Sequence, residues 1–146
     1  MPVEQAQGLL DTNILILRRW IAPEQLPREV AISTITLAEL SAGVHLVRGE
    51  DDQARAERAR RAEVLRGAEA EFDPIPFDAD AARVFGRISA AVADAGRSPR
   101  RRATDLMIAA VAAAQGLPLF TTNPGDFAGL EGIVDLVPVE RPEIAR

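Results

Sequence analysis

Short apolar runs alternate with segments of helical periodicity along the whole chain, and this alternation constrains the fold more than any other feature. The apolar runs predict four strands, at Gln7 to Leu10, Val30 to Ile35, Leu117 to Thr122 and Ile133 to Val139. The other segments predict helices at 13–20, 36–47, 51–71, 78–95 and 103–115. In the charged helix at 51–71, Asp51–Arg55 and Glu57–Arg61 are oppositely charged pairs four residues apart. Strands that alternate with helices favour an α/β fold with a central, mainly parallel sheet flanked by helices.

The composition excludes several kinds of chemistry. The length of 146 residues predicts a single domain, 1–146. There is no cysteine, which excludes disulfides and thiolate chemistry, and all 17 basic residues are arginine, which excludes Schiff-base and P-loop lysines. The lone His45 cannot build a histidine-based zinc site, and it falls off the apolar face of its predicted helix. No segment is apolar for long enough to span a bilayer, so we expect a cytoplasmic protein.

Three acidic residues stand at the ends of predicted elements. Asp11 follows the first strand, Glu39 lies in the first turn of the second long helix, and Asp105 opens the apolar helix at 103–115. Ligands of an open parallel sheet bind beyond the carboxyl ends of its strands, where Asp11 should point. Carboxylates gathered there repel each other unless a cation joins them, and oxygen-only ligands select Mg²⁺ or Mn²⁺. Such ions ready water for attack on a phosphodiester.

Each acid also has a purely structural interpretation. Thr36 and Glu39 have the spacing of a capping box, in which the glutamate only bonds backbone N–H groups. Asp105 suits the positive end of a helix dipole, and Asp11 suits a helix N-cap. Spacing alone leaves the metal-site and the structural interpretations open.

The net charge of −5 hides a local excess of positive charge. Residues 97–102 hold four arginines and no acid, just before Asp105. Phosphate contacts normally need such a basic surface, although a solvated loop is the simpler interpretation. Aromatic residues make up only 4% of the chain, which argues against recognition of RNA bases on a stacking platform.

Four segments, taken in order, resemble the motifs of PIN-domain nucleases, most of all the VapC toxins. The segments are Leu9-Leu10-Asp11-Thr12-Asn13, the run Ile35 to Leu40 with Gly43, the run Thr104 to Ala110, and Thr121-Thr122-Asn123 followed by Asp126-Phe127. The match extends from about residue 8 to residue 139. One such motif is weak, whereas four in this order and spacing are specific.

The resemblance implies a PIN-like fold and an endoribonuclease that depends on Mg²⁺ or Mn²⁺. It also implies a homodimer, a VapB-like antitoxin protein as partner, and tRNA, rRNA or mRNA as substrate. Matched position by position, Asp11 and Asp105 would hold the metal and Glu39 would complete the acidic site. The family often has a fourth acid where this chain has Asn123, so either Asn123 or Asp126 would fill that position. Asn123 and Arg102 are the candidate substrate-binding residues.

Two other functions remain for comparison. One is a PIN-like module that binds RNA or protein without cutting, which the presence of Asp11, Glu39 and Asp105 disfavours. The other is a phosphatase of the haloacid-dehalogenase type, which also places an aspartate after its first strand. Members of that family have the motif Asp-x-Asp at this point, whereas this chain has Asp11-Thr12-Asn13 and lacks lysine altogether.

Overall fold

The computed structural model describes residues 6–144, which form a four-stranded, fully parallel sheet with the strand order β2-β1-β3-β4. The strands are β1 (Gln7–Leu10), β2 (Glu29–Ala31), β3 (Leu119–Thr121) and β4 (Leu136–Pro138). The helices are α1 (Thr12–Leu17), α2 (Thr34–His45), α3 (Asp52–Glu71), α4 (Ala79–Asp94) and α5 (Ala103–Gln115). The predicted α/β fold is confirmed, with β2, β3 and β4 shorter than predicted.

The sheet lies between two layers of helices, because successive side chains of a strand point to opposite faces. Leu9 and Leu119 pack with α4 and α5 on one face. Leu10 and Phe120 pack on the other face, with residues of α1, α2 and α3. Gly8 allows the ring of Phe120 to lie close to β1, since a Cβ there would stand 2.4 Å from a ring carbon.

Helix α5 has the predicted bounds and is the most buried helix of the described chain. Its buried residues are Leu106, Ile108, Ala109, Ala110, Val111 and Ala112. The small alanine side chains let it pack closely against both its neighbours, and it ends at Gly116, whose φ of 65° is left-handed. This helix therefore holds Asp105, in its first turn, on a rigid support.

The start of α2 differs from the prediction. Ser33 is the N-cap, and its hydroxyl accepts a hydrogen bond from the Thr36 backbone N–H at 3.2 Å. The extended residues before it leave β2 and pair instead with Ile75, whose N–H donates to the Ile32 carbonyl at 2.9 Å. Thr36 thus lies inside the first turn, and the capping-box interpretation of Thr36 and Glu39 does not hold.

Helix α3 shows one predicted ion pair and lacks another. Glu57 and Arg61 pair at 2.9 Å, as predicted. The predicted Asp51–Arg55 pair is wrong, because the Asp51 carboxylate caps α3 by accepting from the Ala54 N–H at 2.8 Å. Arg55 donates to the Glu50 carbonyl instead. No helix among residues 6–144 is long and apolar enough to cross a membrane.

Candidate active site

The strand order creates a crevice beyond the carboxyl ends of β1 and β3. The chain passes from β1 to β2 on one side and then returns to place β3 on the other side. The order reverses between these two strands, and such a reversal is where open α/β sheets bind ligands. Asp11 follows β1 and Thr121 ends β3, and their side chains hydrogen-bond across the crevice.

Asp11 has both a structural and an electrostatic part in this crevice. Its side chain is an N-cap, accepting from the Ile14 N–H at 2.8 Å, so the predicted cap is confirmed. Only 6% of the residue is exposed, and this burial raises its pKa. The hydrogen bonds from Thr121 and Ile14 oppose the rise, while the nearby charges of Glu39 and Asp126 add to it.

The pKa of Asp105 is strongly raised by its surroundings. Burial, followed by the negative charges of Glu39, Asp126 and Asp11, raises its pKa to about 6, and only Arg102 opposes this. These charges can act on each other only because the four carboxyl groups share one crevice. We refer to Asp11, Glu39, Asp105 and Asp126 as the acidic cluster.

A hydrogen bond from α1 holds the Glu39 carboxylate in the acidic cluster. The Thr12 hydroxyl donates to Glu39 Oε1 at 2.6 Å, and Thr12 Oγ1 lies 3.1 Å from Thr36 Oγ1. The carboxylate therefore turns towards α1 rather than back to the start of its own helix. Glu39 therefore does not cap its own helix, although its spacing from Thr36 would allow that role.

Asp126, rather than Asn123, supplies the fourth charge near Asp11 and Asp105. It lies in a short 3₁₀ turn, Pro124–Phe127, and forms an ion pair with Arg102. Asn123 begins that turn and is half-buried, and its backbone N–H donates to Thr121 Oγ1 at 3.0 Å. Asn123 thus lies beside the crevice, one hydrogen bond from the residue that contacts Asp11.

The cluster fits a cation that needs few protein ligands. Among residues 6–144, no three histidine, cysteine, aspartate or glutamate side chains are gathered closely enough to form a ready-made metal cage. Mg²⁺ is usually held by one or two carboxylates and keeps several waters, so it does not need such a cage. Asp11 and Asp105 are the two carboxyl groups of the cluster whose pKa burial raises. A divalent cation between them would relieve that unfavourable charge.

Three threonines complete the site and were not among the predicted site residues. Thr12 and Thr121 supply hydroxyl groups to Glu39 and Asp11, and Thr36 contacts the Thr12 hydroxyl; Thr36 and Thr121 are fully buried. One signal was present in the sequence, since Thr36 and Glu39 are three residues apart and therefore share a helix face. The contact between Thr121 and Asp11 joins distant strands, and no local pattern could have shown it.

The arginines of residues 97–102 divide into two groups. Arg100 and Arg101 are exposed in a 3₁₀ turn, Pro99–Arg102, directly before α5. Arg97 donates to the Gly125 carbonyl at 2.8 Å, and Arg102 is paired with Asp126. Two of the four arginines therefore brace the Asp126 turn, and two point their charge to solvent.

A groove of about 590 Å³ runs beside the cluster between α1, α2 and α3. Thr12 and Glu39 line it at one point, and Trp20 and Ile16 line it with 38% and 44% of their surfaces exposed. The Arg19 guanidinium lies over the Trp20 ring, 4.1 Å from its centre. The described chain thus has an apolar, partly charged channel next to Glu39. His45 is exposed at the end of α2, as predicted.

Comparisons with known proteins agree with this geometry. The family model of the PIN domain matches residues 9–132. Ribonuclease VapC5 of Mycobacterium tuberculosis (strain ATCC 25618 / H37Rv) is 38% identical over 135 residues, which cover 90% of this chain and 93% of that protein.

Solved structures show the same relationship. A crystal structure of VapBC-5, a member of the VapBC family of toxin–antitoxin systems from Mycobacterium tuberculosis, matches with a TM-score of 0.74 and 35% identity, covering 93% of this chain and 99% of that chain. DNA-bound VapBC from Salmonella typhimurium matches with a TM-score of 0.65 and 25% identity, covering 90% and 97%. The chain therefore belongs to the PIN-domain family, within its group of VapC ribonucleases.

Proposed function

We propose that this protein is an endoribonuclease that hydrolyses RNA phosphodiester bonds with Mg²⁺ or Mn²⁺, and that it is the toxin of a type II toxin–antitoxin pair. The observation that carries the proposal is the acidic cluster, in which the buried Asp11 and the half-buried Asp105 lie close enough to Glu39 and Asp126 for their charges to repel, at the reversal point of the sheet. The 38% identity to a VapC ribonuclease supports RNA as the substrate.

Each acid has an assigned role in this proposal. Asp11 and Asp105 hold the metal, since each is anchored at the end of a buried element. The cation would neutralise the phosphate and lower the pKa of the attacking water. Glu39, held by Thr12, orients that water, and Asp126 keeps Arg102 beside the site. All four are thus proposed catalytic residues, with two of them as metal ligands.

The basic turn before α5 is the proposed entry for RNA. Arg100 and Arg101 are exposed in the turn directly before the helix that carries Asp105, and the half-buried Asn123 beside the crevice is the other proposed RNA contact. Arg102 would contact the RNA only by sharing its guanidinium with Asp126. Single-stranded loops of tRNA, rRNA or mRNA are the class of substrate with an accessible backbone.

A VapB-like antitoxin is the proposed partner, and the groove beside Glu39 is the surface we assign to it. The relatives of solved structure are VapBC complexes. The exposed Trp20 and Ile16 give the groove an apolar centre, and its rim carries Arg60, Arg61 and Glu63. A segment lying in this groove would end beside the acidic cluster. We also propose that the toxin acts in the cytoplasm as a homodimer, whose mass light scattering would measure.

Cleavage by the purified protein tests the proposal. Wild type should cut RNA with Mg²⁺ or Mn²⁺ and lose this activity in excess EDTA. Asp11→Asn should fold, because asparagine also caps helices, and should not cut. Equal cleavage in EDTA, or by Asp11→Asn, would reject the metal-dependent mechanism. Absence of cleavage by metal-loaded wild type would favour the alternative of a binding module.

A further inference from the structure

A chain of hydroxyl groups leads from the interior of α2 to the carboxylate of Glu39. Thr12 donates to Glu39 Oε1 at 2.6 Å, which is within the short range of a bond from a hydroxyl to an ionised oxygen. Thr36 Oγ1 lies 3.1 Å from Thr12 Oγ1. A hydroxyl has one hydrogen, and that of Thr12 is committed to Glu39. Thr36 must therefore be the donor to Thr12, which fixes the direction of the whole chain.

The position of Thr36 excludes a direct part in binding or chemistry. None of its surface is exposed, so neither RNA nor a cation can touch it. Its backbone N–H already serves the Ser33 cap, and that bond does not need the Thr36 side chain. The hydroxyl therefore has one visible use, which is its bond to Thr12.

The chain also joins two elements that carry acids. Thr12 follows Asp11 directly at the start of α1, while Thr36 and Glu39 lie one turn apart on α2. A glutamate side chain has three rotatable bonds, and Thr12 holds it on the α1 side, where its charge acts on Asp11. When Thr36 donates to Thr12, the hydrogen of Thr12 stays directed at Glu39, because linked hydrogen bonds reinforce one another.

We propose that Thr36 is a positioning residue, whose buried hydroxyl fixes Glu39 towards the cation site through Thr12. The inference rests on the proposed function, because it concerns how one acid of that site is held. It predicts that removing a hydroxyl that touches neither metal nor RNA lowers metal affinity and turnover. Residues that orient metal ligands typically contribute on the order of 10-fold to either quantity.

The test compares Thr36→Val, which removes the hydroxyl and keeps the branched shape, with Thr36→Ser, which keeps the hydroxyl. Mn²⁺ binding is measured without RNA, from the electron paramagnetic resonance of free Mn²⁺, and cleavage is measured separately. We expect Thr36→Val to raise the Kd for Mn²⁺ and lower kcat by roughly 10-fold each, with KM for RNA unchanged. Thr36→Ser should restore both. Wild-type values in Thr36→Val, or equal losses in both variants, would overturn the inference.

Two further arms keep the result decisive. In a Glu39→Ala background, Thr36→Val should cause no further loss of Mn²⁺ affinity, and a full additional loss would show that Thr36 acts elsewhere. If Thr36→Val does not fold, Thr12→Val and Thr12→Ser carry the same expectations. Wild type that binds Mn²⁺ but cuts no RNA would reject the proposed function alone, and the Mn²⁺ measurements would still decide the role of Thr36.

Discussion

Glu39 shows how one side chain can satisfy a sequence pattern without taking the role that the pattern suggests. The spacing from Thr36 is that of a capping box, yet Ser33 caps α2 and the Glu39 carboxylate bonds to Thr12. Both patterns fit the sequence because Ser33 and Thr36 are each good N-caps followed by apolar residues. The choice depends on Ile75, which pairs with the backbone around Ser33 from a distant part of the chain and is invisible to local reasoning.

Glu39→Gln separates the proposed catalytic role from any structural one. Glutamine retains an oxygen to accept from Thr12, so the hydroxyl chain should survive, while the negative charge beside Asp11 and Asp105 is lost. We expect the metal-free protein to melt at the same temperature or slightly higher, since like-charge repulsion falls. RNA cleavage should drop by roughly 100-fold or more. Thermal melting and single-turnover rates measure both.

Glu63→Gln is the matched control for this change. Glu63 lines the same groove from α3, and it lies outside the acidic cluster. Its replacement should leave both melting temperature and cleavage near wild type. A Glu39→Gln protein that cuts RNA as fast as the Glu63→Gln control would remove Glu39 from the catalytic residues.

Asp105 predicts an unusual pH dependence of stability in the metal-free protein. Its folded pKa, about 6, lies above its ordinary value of 3.8, so the folded state holds the proton more tightly. This contribution to stability is complete below pH 3.8 and is lost as the pH rises through 6. Asp105→Asn should therefore raise the melting temperature at pH 7.5 and change it little at pH 4.

The exposed Asp52 provides the comparison for Asp105. It also lies in the first turn of a helix, where its charge favours the helix dipole, but it is exposed. Asp52→Asn should leave stability unchanged or slightly lower at pH 7.5. If both variants shift the melting temperature equally, burial and repulsion in the acidic cluster do not determine how Asp105 affects stability.

At the scale of elements, the sequence predicted the bounds best where an apolar run ends at a residue that favours a cap. The bounds of β1 and α5 were predicted correctly, because Asp11 ends one and Gly116 ends the other. The strands β3 and β4 were predicted too long, and for β4 the reason is that the apolar residues Ile133 and Val134 pack against the core from the preceding turn. Whether an arginine of residues 97–102 contacts the Asp126 turn or solvent depends on how the turns Pro99–Arg102 and Pro124–Phe127 approach each other. Local sequence spacing holds no information about that approach.

The turn before α5 predicts the salt dependence of RNA binding. Replacing Arg100 and Arg101 together with glutamine removes two exposed charges next to the acidic cluster. Each phosphate contact on single-stranded RNA contributes about 0.7 to the slope of log affinity against log salt, so the slope should fall by about 1.4. The slope is obtained by measuring RNA binding across a series of salt concentrations, with each protein also carrying Asp11→Asn so that it does not cut the RNA.

A pair of arginines on α3 serves as the control for charge alone. Arg55 and Arg66 are both exposed, and their helix covers the opposite face of the sheet from α5. Their joint replacement by glutamine changes the net charge equally and should leave the salt slope near wild type. Equal slopes in both double variants would show that the turn before α5 is only a solvated surface.

At the scale of the whole molecule, the groove predicts how the partner is recognised. Trp20 is the one tryptophan of the chain, so its fluorescence reports on the groove alone. The proposed VapB-like antitoxin should shift that emission to shorter wavelength as it covers the ring. Trp20→Ala should weaken the complex by roughly 30-fold, as for a central aromatic contact. Its RNA cleavage should persist, since Trp20 lies outside the acidic cluster.

Growth provides the cellular form of the same test. Expression of the chain alone should arrest growth, and co-expression of the proposed antitoxin should restore it. With Trp20→Ala, the same amount of that protein should no longer restore growth. Formation of a tight complex without any change in Trp20 emission would place the partner on another surface.

The strand order has a consequence for how the protein is made. β1 leaves the ribosome long before β3, its central partner in the sheet, which begins only at Leu119. Contacts between such distant segments form late, because the long intervening chain must be ordered first. Asp11 can therefore meet Thr121 and Asp126 only after β3 and the turn that follows it have been synthesised. Until then a growing chain has no assembled acidic cluster, so we expect no RNA cleavage before β3 joins the sheet.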